Sequence, residues 1–162
     1  MGNRAVITTR KDLKDIGVYL HWNGGRDSVE GFLTYCKIKG YCPPEHDNYG
    51  WAYLCTIIGN YFNQSGLSLG VDVANKLDCD NWDNGTYIIK DWKIVDRLYQ
   101  CRREQDKYSL MNMLLSLDKL YRNIELFWYI QIATFHMVIY NSDCLHIRIY
   151  NRAAYKLKAS FF

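Results

Sequence analysis

Beyond Gly85 the sequence has no glycine and no proline: all 11 Gly and both Pro fall in the first 85 of its 162 residues, and the 77 from Thr86 to Phe162 have none. Turns there must rest on Asn, Asp and Ser. Long apolar runs are missing too. The longest, Leu126 to Tyr140, is 15 residues and is interrupted by Gln131, Thr134 and His136, too short and too polar to span a bilayer. Met1 to Lys14 is polar with no apolar core of signal-peptide length, and Val6 stands where a myristoylation signal needs Ser or Thr. These absences exclude a membrane role and predict a soluble, cytoplasmic protein. Its six cysteines (36, 42, 55, 79, 101 and 144) are then expected to be reduced thiols, several of them acting as small hydrophobes on apolar faces. No catalytic signature occurs either, so the chain is expected to be no enzyme and to need no cofactor.

What is present is an ordinary globular balance, 49% hydrophobic and 23% charged, at the length of one domain. That length can bury a core without metal or disulfide staples. Charge is uneven: residues 1–85 carry 8 basic and 10 acidic side chains (net −2), whereas 86–162 carry 12 and 7 (net +5). Arg4 to Thr9 and Gly17 to Trp22 are rich in Val, Ile, Thr, Tyr and Trp and predict two strands. Asp27 and Glu30, in capping-box spacing, open a helix with Val29, Phe32, Leu33 and Cys36 on its apolar stripe and Gly40 as its left-handed exit. Asp47 or Asn48 caps a second helix, buried through Trp51, Leu54 or Cys55, Ile58, and Tyr61 or Phe62, in which Gly59 points to close packing.

Leu67 to Val73 alternate as a half-buried strand. Asn84-Gly85 is a turn signal before two more strands, Thr86 to Ile89 and Trp92 to Tyr99, and Asp106 caps a helix carrying Leu110, Leu114 and Leu117. The fold class expected is α+β: a single small domain over residues 1–120, with a mixed or antiparallel sheet and two to three helices. Residues 121–162 form an aromatic C-terminal extension, β-rich or long-helical. Leu145, Ile147 and Ile149 alternate as in a strand, while a four-three spacing from 110 to 138 fits one long helix; the aromatic and β-branched content favours strands.

Three segments have the chemistry of a site. Gly24, Gly25 and Arg26 leave a strand and open a helix, where free backbone N–H groups and the helix dipole hold anions. Their spacing matches neither a dinucleotide fingerprint nor a Walker loop, and Asp27 competes for the same donors. Asp72, Asp78, Asp80 and Asp83 fall within 12 residues, offset only by Lys76. An EF-hand is excluded, because Asp83 and Ile89 stand where Gly and Glu are required. What remains is a loose surface calcium site or, favoured over it, a solvated loop or an acidic patch for a basic partner with Trp82 as its aromatic anchor. Arg97, Arg102, Arg103 and Lys107, interleaved with Tyr99 and Tyr108, have the composition for phosphate contacts and base stacking. Cys36, Cys42, His46 and Cys55 are chemically suited to zinc but have no recognised spacing, so no metal is expected.

The opening Met1-Gly2-Asn3-Arg4-Ala5-Val6-Ile7-Thr8-Thr9, the stretch Val18 to Val29, and the later Gly50-Trp51-Ala52, Leu77-Asp78-Cys79-Asp80-Asn81 and Tyr87-Ile88-Ile89-Lys90-Asp91-Trp92 resemble a family of small proteins carried by phages and mobile elements of Gram-positive bacteria. The resemblance covers residues 1–118 and implies no catalytic residue. It implies an anti-defence setting, of which anti-CRISPR inhibitors are the best represented class. The function expected is therefore an anti-CRISPR that binds a CRISPR effector nuclease directly in the bacterial cytoplasm, its acidic loop competing with DNA for basic side chains. The alternative is a nucleic-acid-binding accessory protein using the basic second half. Self-association into a homodimer is the other partner consistent with the sequence.

Overall fold

A computed structural model of the chain describes residues 2–63, 68–99, 103–104 and 109–120. The chain divides into two units, Met1–Leu120 and Tyr121–Phe162, and all described residues belong to the first. The strand and long-helix expectations for 121–162, the cap at Asp106, and Arg102 and Lys107 lie outside the described residues.

Five strands, β1 (Ala5–Thr8), β2 (Ile16–Leu20), β3 (Leu69–Val73), β4 (Thr86–Lys90) and β5 (Lys93–Leu98), form one mixed sheet in the order β3-β2-β1-β4-β5. Neighbours pair antiparallel except β1 and β4, which run parallel. With helices α1 (Arg26–Ile38) and α2 (Tyr49–Tyr61) and a further helical run, α3, over residues 110–120, the fold is α+β. Among the described residues no helix is long and apolar enough to cross a membrane.

Directly paired residues point to the same side of a sheet. Ile7 pairs with Val18 and with Tyr87, whose ring lies under the Arg26 guanidinium at 5.7 Å, so this face looks toward α1. Thr8 pairs with Gly17, and a Cβ at Gly17 would meet Ala74 at 2.8 Å, so the opposite face looks toward the Ala74–Lys76 turn of 3₁₀ helix. Coverage on both faces explains why all four residues of β1 are buried and why its sequence reads as an apolar run without alternation.

Helix boundaries follow local chemistry, in places different from the sequence expectation. Asp27 does not cap α1: Gly25 is the N-cap, and the Asp27 carboxylate accepts from the Ser28 N–H at 2.6 Å, while Glu30 turns to Arg26. Gly40 does supply the left-handed exit (φ 74°). The Gly40 N–H donates to Lys37 O and the Tyr41 N–H to Cys36 O, the two reverse bonds of a Schellman stop. Asn48 is the N-cap of α2 without a side-chain capping bond, and Asp47, one residue earlier, accepts from the Tyr49 N–H at 2.9 Å. The tight approach on α2 belongs to Gly50, where a Cβ would lie 2.5 Å from Pro44 N; Gly59 has nothing within 4 Å. In α3 the hydroxyl of Ser109 caps the Asn112 N–H, and the buried residues are Met113 and Leu117 while Leu110 is exposed, so the inward stripe is shifted from the predicted one. β3 is an edge strand whose Val71 is exposed rather than half-buried.

Candidate functional site

The segment from Leu77 to Gly85 crosses from the 3₁₀ turn into β4 without regular structure, yet many of its backbone polar groups are hydrogen-bonded. Asn81, fully buried, accounts for most of this. Its Oδ1 accepts from the Asp83 and Gly85 N–H groups at 3.2 and 3.0 Å, and its Nδ2 donates to the Asp78 and Gly85 carbonyls at 3.1 and 3.0 Å. All four bonding positions of the amide are thus used. Asn84, also buried, donates through Nδ2 to Asn3 Oδ1 (2.6 Å) and Arg4 O (3.0 Å), and its carbonyl accepts from Arg97 Nε at 2.6 Å. Thr86 Oγ1 closes the far end on Cys79 O at 3.0 Å.

Asp83 is the charged member of this network. Its carboxylate, with the side chain 2% exposed, accepts from Arg4 Nε at 2.6 Å and from the Arg4 backbone N–H at 3.2 Å. The same guanidinium reaches Asp78 at 3.6 Å, and hydrogen bonding to Asp83 raises the Arg4 pKa further. The expected four-carboxylate patch is therefore corrected. Asp83 is buried as an internal ion-pair partner of Arg4. Asp72 lies on β3, engaged by the Val73 N–H and by Lys76 at 3.3 Å. Asp78 and Asp80 are the two loop carboxylates at the surface.

Between the buried Asn81 and Asp83 stands Trp82, a residue 62% exposed with its backbone in the left-handed region at φ 58°. A non-glycine residue there costs roughly 1–2 kcal/mol. It persists because the residues on either side are fixed by their hydrogen bonds. The loop presents one exposed tryptophan, with the exposed carboxylates of Asp80 and Asp78 two and four positions before it.

The other predicted sites are dismantled by their own contacts. Arg26 gives its Nε to both oxygens of Glu104 (3.0 and 2.8 Å) and its Nη1 to Glu30 (3.3 Å), so its charge is spent within the protein. The Gly25 carbonyl accepts the Ser28 and Val29 N–H groups, and Gly24 is glycine because a Cβ would collide with the Asn3–Ala5 backbone at 2.6–2.7 Å. Gly24 and Gly25 thus serve strand-to-helix packing, and Arg26 is ion-paired with Glu104 and Glu30. Arg97, 9% exposed and bonded inward to Asn84 O, is likewise corrected from phosphate contact to structural brace; Arg103 is exposed. Arg26, Arg97 and Glu104 line an open, polar concavity of about 410 Å³ with Ile94, Val95 and Asp96.

Cys36 and Cys79 are buried and Cys42 exposed. Burial pushes the Cys36 thiol far up and that of Cys55 up to about 11, the opposite of activation for metal or nucleophilic chemistry. Among the described residues the only group of three metal-ligating side chains is Glu45, His46 and Asp91, which no sequence motif marked, since 46 positions separate Glu45 from Asp91. Neither the four aspartates nor the cysteines with His46 converge in that way. Comparison with protein-family models, curated proteins and solved structures finds no match.

Proposed function

We propose that the chain is a non-enzymatic binding module that docks on a basic, nucleic-acid-gripping protein through its Leu77–Gly85 loop. One observation carries this: Trp82 stands exposed with a left-handed backbone between Asn81 and Asp83, both buried and hydrogen-bonded, in a loop whose exposed carboxylates are Asp78 and Asp80. An aromatic ring ordered before contact loses little entropy on binding, which is the property of an interface hot spot. Exposed carboxylates on the same loop favour a surface rich in Arg and Lys, and the indole face itself attracts a guanidinium.

The partner class implied by the sequence resemblance is a CRISPR effector nuclease, and in that case the loop would compete with DNA for the side chains that grip it. The test is binding and inhibition of purified effector complexes by the wild-type chain, by Trp82→Ala, and by Asp78→Lys with Asp80→Lys. Loss of at least about 2 kcal/mol of affinity, some thirtyfold, is expected for Trp82→Ala. Inhibition undiminished in both variants would remove the loop from the mechanism. Asp83→Lys is unsuitable, since it would break the internal ion pair and unfold the loop being tested. Bare duplex and single-stranded nucleic acid at low salt serve as controls; salt-sensitive binding there would favour the accessory-protein alternative.

A further inference from the structure

The turn joining β4 to β5 consists of two residues, Asp91 and Trp92, both left-handed (φ 50° and 58°), as a type I′ hairpin requires. Neither is glycine. The Trp92 ring is buried and its Nε1 donates to Tyr41 O at 2.8 Å, which fastens the hairpin tip to the α1–α2 connector. That connector is stiffened by Pro43-Pro44, and its turn is closed by the His46 N–H on Pro43 O at 3.0 Å. Two segments far apart in sequence are thereby held in contact, with Glu45 and His46 on one and Asp91 on the other.

We infer that Glu45, His46 and Asp91 form a binding site for a divalent transition metal of the zinc class, with one coordination position left open. Their ligand atoms lie within 4.8 Å of one another, and His46 Nε2 is 3.4 Å from Asp91 Oδ1. Bonds of 2.0–2.2 Å in tetrahedral geometry place neighbouring ligand atoms about 3.4 Å apart, so this pair already stands at metal-binding separation. A second, independent observation concerns charge and satisfaction. Glu45 Oε1 accepts from the Asp91 N–H, but Glu45 Oε2 is buried without any hydrogen-bond partner. Among the described residues neither carboxylate has an Arg or Lys ion-pair partner. A desolvated carboxylate oxygen beside a second carboxylate is unfavourable until a cation joins them. One imidazole with two carboxylates suits Zn²⁺, Co²⁺ or Mn²⁺ and not soft Cu(I), and three protein ligands leave the fourth position to water or an external donor.

The test uses the full-length chain stripped of metal with chelator and titrated calorimetrically with Zn²⁺ and with Co²⁺. One ion per chain is expected, with affinity reduced by on the order of tenfold or more in His46→Ala and in Glu45→Gln. The cobalt spectrum should lack a thiolate charge-transfer band, and Cys42→Ser should bind as wild type. Absence of saturable 1:1 binding by the folded chain would overturn the inference, as would wild-type affinity in His46→Ala or a thiolate band. His46 is exposed and Glu45 half-buried, so circular dichroism of each variant should match wild type.

Discussion

Asp80 and Asp83 bear the same charge three positions apart in one loop, and their surroundings give them opposite roles. Asp83 is buried against Arg4, with charge-assisted bonds to the guanidinium and the backbone; Asp80 is exposed. Asp83→Ala should therefore lower unfolding free energy by about 2–3 kcal/mol, the range for losing hydrogen bonds to a charged group. Asp80→Ala should stay within about 0.5 kcal/mol. Urea denaturation of both variants checks this, and equal losses would contradict the division. Thiols divide similarly. At pH 8 Cys42 should react readily with an alkylating reagent, while Cys36 and Cys55, whose pKa values burial has raised, should react only as the chain opens. Mass spectrometry of partially labelled protein distinguishes the sites.

At the scale of elements, two glycines on α2 look alike in sequence and differ in space. Gly59→Ala adds a methyl where nothing lies within 4 Å, so improved helix propensity should stabilise by about 0.5–1 kcal/mol. Gly50→Ala gains the same propensity but drives a Cβ to 2.5 Å from Pro44 N, within the connector that carries Glu45 and His46. It should destabilise by about 1–3 kcal/mol, as overpacking does. Thermal melts of the two single variants should move in opposite directions. The same lesson applies to turns. Asn84-Gly85 carries the standard hairpin dipeptide, yet it leads into a strand parallel to β1, while the actual hairpin turn is Asp91-Trp92 with no glycine. Turn propensity yielded there to the indole anchored on Tyr41 O and, at residue 84, to the buried amide network.

For the molecule as a whole, three carboxylates have lowered pKa values: Asp12 by hydrogen bonding to Arg10, Asp72 by the Val73 N–H, and Asp96 by hydrogen bonding to Lys11. Groups shifted downward contribute stability above their ordinary value of 3.8 that is lost as pH falls through the lowered folded values. Cys36, Cys55 and Cys79, shifted upward from 9.0, contribute stability below that value that is lost as pH rises beyond it. Thermal stability should accordingly form a plateau between about pH 4 and 9. A maximum confined to a narrow band near neutrality would contradict this.

The α+β class, the five strands and the extents of α1 and α2 were legible in the sequence, because strand and helix periodicity and glycine stops are local properties that neighbouring residues impose on one another. The buried acidic–arginine pair was not legible: Arg4 and Asp83 are 79 positions apart, and an aspartate reads as surface until a distant guanidinium and backbone N–H enclose it. Nor could periodicity identify which glycine is crowded or that Arg26 and Arg97 are neutralised from within. The sequence by itself determined the elements and the absence of any recognised catalytic motif. Only the tertiary structure decided which charges face solvent, why Trp82 projects from a rigid loop, and that Glu45 and His46 meet Asp91. Burial and ion pairing depend on what the chain brings back from far along its length, and no local pattern encodes that return.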